Sequence, residues 1–214
     1  MDGFALALVL AVAGAVLGVV ADRFATRWPE HDEEHPPGRR VDWRTVVCGA
    51  VGAVAFGLLP LRLGGDVPAL VAFGAWFATL VLGLATDLDQ RVLPDELTLP
   101  VIPIALVYAI SGLNPFVGGA LLPAILAAIL IPAVLYLPSI PFGAGAFGMG
   151  DVKFLIGMGL LLGGERALGG TLVGLLIAGA VLIVLLLTGR IGRKSYIPFG
   201  PFLILGAMWA VLIR

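Results

Sequence analysis

Long apolar runs separated by short polar breaks set the rhythm of this chain. Runs of near-membrane length cover about residues 3–21, 45–63, 68–88, 97–113, 116–137, 152–162, 167–188 and 199–213. An apolar stretch of roughly 20 residues predicts a bilayer-spanning helix, whereas a soluble helix shows a polar face every turn. The pattern therefore predicts an all-α, polytopic membrane protein with about eight transmembrane helices, read as one membrane-embedded domain over residues 1–214. The first run reads as a retained helix and not a cleaved signal. Asp2 is its only flanking charge, and no clear cleavage site precedes Asp22.

Composition narrows the reading. Of 214 residues, 60% are apolar and only 13% are Asp, Glu, Lys or Arg, about half the usual charged share of a soluble domain. That excludes a water-soluble globule and a disordered chain. The 30 Gly and 15 Pro follow no collagen period and lie in apolar stretches, where membrane helices tolerate them. A net charge of −1 gives no electrostatic footprint for nucleic acid. Cys48 is the single cysteine, so an intrachain disulfide and a tetracysteine zinc site are both excluded.

The basic residues orient the chain. With the N-terminus outside, the loops on the cytoplasmic side hold Arg23, Arg27, Arg39, Arg40, Arg44, Arg91, Lys153, Arg190, Arg193 and Lys194, leaving Arg62, Arg166 and Arg214 outside. This bias predicts a cytoplasmic face by the positive-inside rule. The polar segment 22–44 reads as a solvated cytoplasmic loop. His31 and His35 are four residues apart and flanked by acids, a metal-ligand spacing if helical. Pro36 and Pro37 argue against a longer helix there.

Acids in or beside membrane spans are functional candidates because they are costly to place there. Asp87 lies in ATDLDQRVLPDELTLP at the end of the third run, and Asp151 in GMGDVKF at the start of the sixth. In the expected topology both sit at the same membrane edge. Two carboxylates that share one proton can activate water with one group and polarise a carbonyl with the other. Gly148 and Gly150 before Asp151 leave room for a second backbone to approach. The alternative is a proton- or cation-coupled transporter, which would favour acids near mid-bilayer or an inverted repeat; here the acids sit at one edge.

These motifs resemble the type IV prepilin peptidase family, a GxGD class of membrane aspartic protease. Asp87 is followed seven residues later by Pro94 and then by Asp95, like the family's first-aspartate motif; GMGDVKF matches GxGDxK through Asp151 and Lys153; IPFGPFL, from Ile197 through Pro198 and Gly200, matches the IPFGP element. Gly18 to Asp22, then Arg27, Trp28 and Pro29, correspond loosely to the family's N-terminal Gly-Ser-Phe-Leu-Asn and Arg-x-Pro run, with Asp22 in the Asn position.

The resemblance implies an aspartic endopeptidase with Asp87 and Asp151 as the catalytic pair, and Gly148, Gly150, Lys153, Pro94, Asp95, Pro198 and Gly200 as supporting residues. Its implied partners are the lipid bilayer and the membrane helix of a prepilin or pseudopilin precursor. Cleavage of the basic leader would take place at the cytoplasmic face of the cell (inner) membrane, with no cofactor for proteolysis. Many family members also carry two Cys-x-x-Cys pairs in a zinc lobe and methylate the new N-terminus with S-adenosylmethionine. This chain has loop 22–44 in place of that lobe and lacks the Arg-Tyr-Pro-x-Val-Glu run of the bifunctional members near Trp43, so the resemblance carries the peptidase and leaves methyl transfer open. Among the remaining polar residues, Asp89 is two beyond Asp87, about 200° round a helix, and reads as a solvated loop acid. Gln90 and Arg91 read as loop groups. Asp95 and Glu96 suit the start of a fourth helix, and Lys153 either lies near the carboxylates or reaches lipid headgroups.

Overall fold

The computed structural model describes residues 3–33, 35–142, 147–190 and 198–213. Among them the chain is all helical: α1 (Gly3–Ala25), α2 (Trp43–Leu63), α3 (Val67–Gln90), α4 (Asp95–Thr98), α5 (Val101–Ile110), α6 (Leu121–Tyr136), a 3-10 turn (Leu137–Phe142), α7 (Met149–Leu187) and α8 (Gly200–Leu212). Asp2, Glu34, Arg193, Lys194, Ile197 and Arg214, which entered the charge or motif readings, lie outside the described residues.

Among the described residues, five helical runs are long and apolar enough to cross a membrane: α1, α2, α3, the stretch Leu121–Pro141, and α7. This is a multi-pass membrane protein. The count of eight is not reached by those criteria because Pro and Gly divide the apolar runs differently. Pro94 and Pro100 stand at the starts of α4 and α5, so the expected fourth span breaks into two short helices. The expected sixth and seventh spans lie end to end in α7, interrupted at Gly163 with φ 72° and ψ 178°. That conformation is essentially reserved for glycine. α8 is apolar but only 13 residues long.

Lipid tails are as apolar as a leucine, so membrane helices associate by close packing. Here the closest approaches are made of glycine. A Cβ built on Gly18 of α1 would lie 2.1 Å from the Cys48 carbonyl oxygen of α2, and one on Gly206 of α8 would lie 2.1 Å from the Gly170 oxygen of α7. On the outer side of α1, Val9, Val12, Val16 and Val20 are exposed, as lipid-facing residues should be. Phe73, Trp76 and Phe77 of α3 fill the interior, with Phe73 tilted against Phe116 at 4.8 Å between ring centroids.

Caps fix the helix ends that matter. Asp42 caps α2 by accepting from the Arg44 N–H at 2.8 Å, and Asp66 caps α3 by accepting from the Ala69 N–H at 3.0 Å. α3 ends on Arg91 in the left-handed conformation, φ 59°. The chain direction then brings the end of α3, the start of α4, the start of α7 and the start of α8 to one end of the bundle.

Candidate active site

Asp87 sits at the start of the last turn of α3 and is 4% exposed. Its carboxylate faces Gly200, the first residue of α8. A Cβ on Gly200 would lie 2.8 Å from Asp87 Cγ and 2.9 Å and 3.1 Å from its two oxygens. Asp87 Oδ2 is buried and has no hydrogen-bond partner. A buried polar atom normally has one, so this oxygen marks a place where a further polar group belongs.

Asp151 is in the first turn of α7 and is 9% exposed. Gly148 caps the helix in an extended conformation. Gly150 lies so close to the α3–α4 connection that a Cβ there would come within 2.8 Å of the Leu93 carbonyl oxygen. This backbone contact brings the first turn of α7 beside the Asp87 segment, and the two carboxylates lie within electrostatic reach of each other. Phe147 and Phe199, which precede the two facing helices, pair at 6.4 Å between centroids. Pro201 in the first turn of α8 suits a helix start. The partial positive end of α8 therefore meets the Asp87 carboxylate.

The other expected residues lie on the segments that open α4, α7 and α8. Pro94 caps α4, and Asp95 opens it. Lys153 donates from Nζ to Asp95 Oδ1 at 2.5 Å. The bridge ties the start of α4 to the start of α7, but with Asp95 about half exposed it is worth no more than about 1 kcal/mol. Pro198 lies just before α8.

Asp89 corrects the reading of a solvated loop acid. It is 6% exposed and belongs to α3. It accepts from Arg39 Nε at 2.6 Å and Arg44 Nη1 at 3.1 Å, with His31 Nε2 at 3.4 Å. Gln90 is buried too, and its amide nitrogen donates to the Ala25 oxygen at 3.2 Å and the Pro29 oxygen at 3.4 Å. α3 runs two residues past the end of its apolar run, and segment 22–44 folds down on it. The same segment buries Asp22 completely, between Thr45 at 2.6 Å, Arg39 at 2.6 Å and Arg23. Burial opposes the charge of Arg39, but the hydrogen bonds it gives Asp89 and Asp22 prevail and raise its pKa above the ordinary arginine value. The one sequence signal for this cluster was the density of opposite charges in 22–44. His31 and His35 do not share a helix: His35 Nδ1 lies 3.0 Å from Asp32 Oδ1. Among the described residues no group of three metal-ligating side chains forms.

A family model described as the type IV leader peptidase family matches residues 76–188, a stretch that includes both Asp87 and Asp151. The chain belongs to that family. The prepilin leader peptidase/N-methyltransferase of Burkholderia pseudomallei (strain 1026b) is 34% identical over 157 residues, covering 73% of this chain and 50% of that protein. The prepilin leader peptidase/N-methyltransferase of Pseudomonas putida is 32% identical over 152 residues, 71% of this chain and 52% of the relative. That of Aeromonas hydrophila is 30% identical over 127 residues, 59% of this chain and 43% of the relative. The chain thus spans about half the length of these curated relatives. No solved structure matches it significantly.

The relatives' names include a methyltransferase, which implies S-adenosylmethionine. A cavity of about 380 Å³ beside the 22–44 segment is lined by His35, Arg39, Arg44 and Asp89. Arg39 Nε, Nη1 and Nη2 each already donate, to Asp89, Asp42 and Asp22. Arg44, on the same cavity, keeps a buried Nε with no hydrogen-bond partner, so the lining retains one unpaired donor and methyl transfer stays open.

Proposed function

We propose that this chain is a membrane aspartic endopeptidase that removes the basic leader from type IV prepilin-like or pseudopilin precursors. In this reading it works at the cytoplasmic face of the cell membrane. One observation carries the proposal: two buried carboxylates, Asp87 and Asp151, lie within electrostatic reach of each other at one end of an apolar bundle, and Asp87 Oδ2 lacks a partner.

The chemistry follows from the arrangement. With one proton shared, the ionised aspartate takes a proton from a water held between the pair, and that water attacks the scissile carbonyl. The protonated aspartate gives its proton to the carbonyl oxygen as the tetrahedral intermediate forms. Collapse then breaks the C–N bond: the amine leaves with a proton from the acid formed in the first step, and the other aspartate takes back a hydroxyl proton of the intermediate, which gives the carboxyl product and restores the shared proton. The carboxylates alone supply acid and base, so the step draws on no metal or cofactor. Gly148, Gly150 and Gly200 let the starts of α7 and α8 pack against the two carboxylates and the Leu93 backbone, where a Cβ would intrude. The site's place at the helix ends suits a substrate whose charged leader stays in water and whose following helix lies in the bilayer.

The test is cleavage of a co-expressed prepilin-like substrate. Asp87→Asn and Asp151→Asn should each abolish it while the protein still accumulates in the membrane. Full cleavage by either variant would remove the mechanism.

A further inference from the structure

Asp87 lies in the most easily frayed part of its helix. The last four carbonyls of a helix have no partner within it, and α3 stops three residues after Asp87. There the chain turns through Arg91, whose N–H bonds back to the Asp87 oxygen at 2.9 Å. Displacing a reacting group by about 1 Å costs up to roughly a hundredfold in rate, so something must hold this turn still.

The restraint is on the side away from the carboxylate pair. Asp89 points to Arg39, whose planar guanidinium serves three helices at once. Nε donates to Asp89 of α3 at 2.6 Å, Nη2 to Asp22 of α1 at 2.6 Å, and Nη1 to Asp42, the cap of α2, at 2.5 Å. Arg44 adds a second bond to Asp89 at 3.1 Å, and Gln90 ties the same turn to the Ala25 and Pro29 carbonyls. The α1–α2 pair does not depend on this link. It is held by the Gly14–Gly52 and Gly18–Cys48 contacts and by the Thr45–Asp22 bond.

We infer that Arg39 and Asp89 are positioning residues for Asp87, which clamp the last turn of α3 to the α1–α2 pair through the 22–44 segment. The inference rests on the aspartic-peptidase reading. A lysine cannot replace the hub, because a single ammonium on a flexible stem does not offer three fixed donors in one plane.

The experiment is steady-state cleavage by the purified full-length protein, using a peptide with a basic leader and an apolar helix. Asp89→Asn and Arg39→Lys are each expected to lower kcat by about 10- to 100-fold with KM within about threefold of wild type. The double variant should lose no more than about threefold beyond the worse single variant, since both cut the same clamp. Hydrogen exchange supplies a second readout. Amides of residues 88–91 should exchange faster in either variant, while those of α1 and α2 keep their protection. Wild-type kcat in both variants, multiplied losses in the double variant, or unchanged exchange at the end of α3 would each overturn the inference. Asp87→Asn run in parallel separates the two levels. Cleavage that survives Asp87→Asn defeats the peptidase mechanism. A dead Asp87→Asn beside fully active Asp89→Asn and Arg39→Lys defeats only the clamp. Should the wild type leave the chosen peptide uncut, exchange alone decides the clamp, and should one variant fail to accumulate, the other carries both readouts.

Discussion

Replacing Gly200 with alanine probes the candidate site with a single methyl group. The backbone of Gly200 lies outside the left-handed region, and alanine is the better helix former, so the substitution should not weaken α8 itself. What it changes is the space against Asp87. The new Cβ would start 2.8 Å from Asp87 Cγ, whereas ordinary contacts begin near 3.4 Å, so something must move by 3.4 − 2.8, or about 0.6 Å. α8 cannot easily retreat, because Gly206 lies against the Gly170 backbone of α7, with a built Cβ only 2.1 Å from its oxygen. The displacement therefore falls on the Asp87 carboxylate. If 1 Å of misplacement costs roughly a hundredfold, 0.6 Å costs on the order of 10- to 30-fold in kcat, or about 1.5–2 kcal/mol of barrier. The assay is turnover of a leader-bearing substrate followed by mass spectrometry, with thermal unfolding in detergent alongside. Gly179→Ala is the control, since a Cβ there meets nothing within 4 Å; it should leave turnover unchanged. Wild-type kcat for Gly200→Ala would refute both the contact and the role given to Asp87.

Two further outcomes test the scaffold. Gly163→Ala places a side chain at φ 72° and ψ 178°; strain of about 1–3 kcal/mol should lower the unfolding midpoint by several degrees, and an unchanged midpoint would mean that α7 is not broken there. Gly18→Leu sets a side chain where even a Cβ would lie 2.1 Å from the Cys48 oxygen; it should part α1 from α2 and sharply reduce the amount of folded protein in membranes, whereas normal accumulation would show that the two helices do not pack this closely.

The sequence by itself determined the class of molecule and pointed to the residues on which the proposed chemistry rests. Apolar runs with few charges can be satisfied only by helices in a bilayer, where backbone polar groups must bond within their own segment. The motifs around Asp87 and Asp151 identified the residues to examine, and the Pro94–Asp95 pair read correctly as a helix start. Counting spans went less far. Periodicity registers an apolar run whether it is continuous or broken, and only the folded backbone shows that Gly163 interrupts one helix and that the fourth run divides at Pro100. Tertiary structure alone decided the environment of the carboxylates. Gly200 is 113 residues from Asp87 (200 − 87) and meets it only because α8 packs beside α3. Asp89 sits in a sequence stretch as polar as any exposed loop, yet it is buried, because cations 45 and 50 residues away fold onto it. Local pattern records how each segment meets water or lipid. It carries no record of which distant charge will neutralise a buried one, and in this protein that choice fixes the end of the helix that carries Asp87.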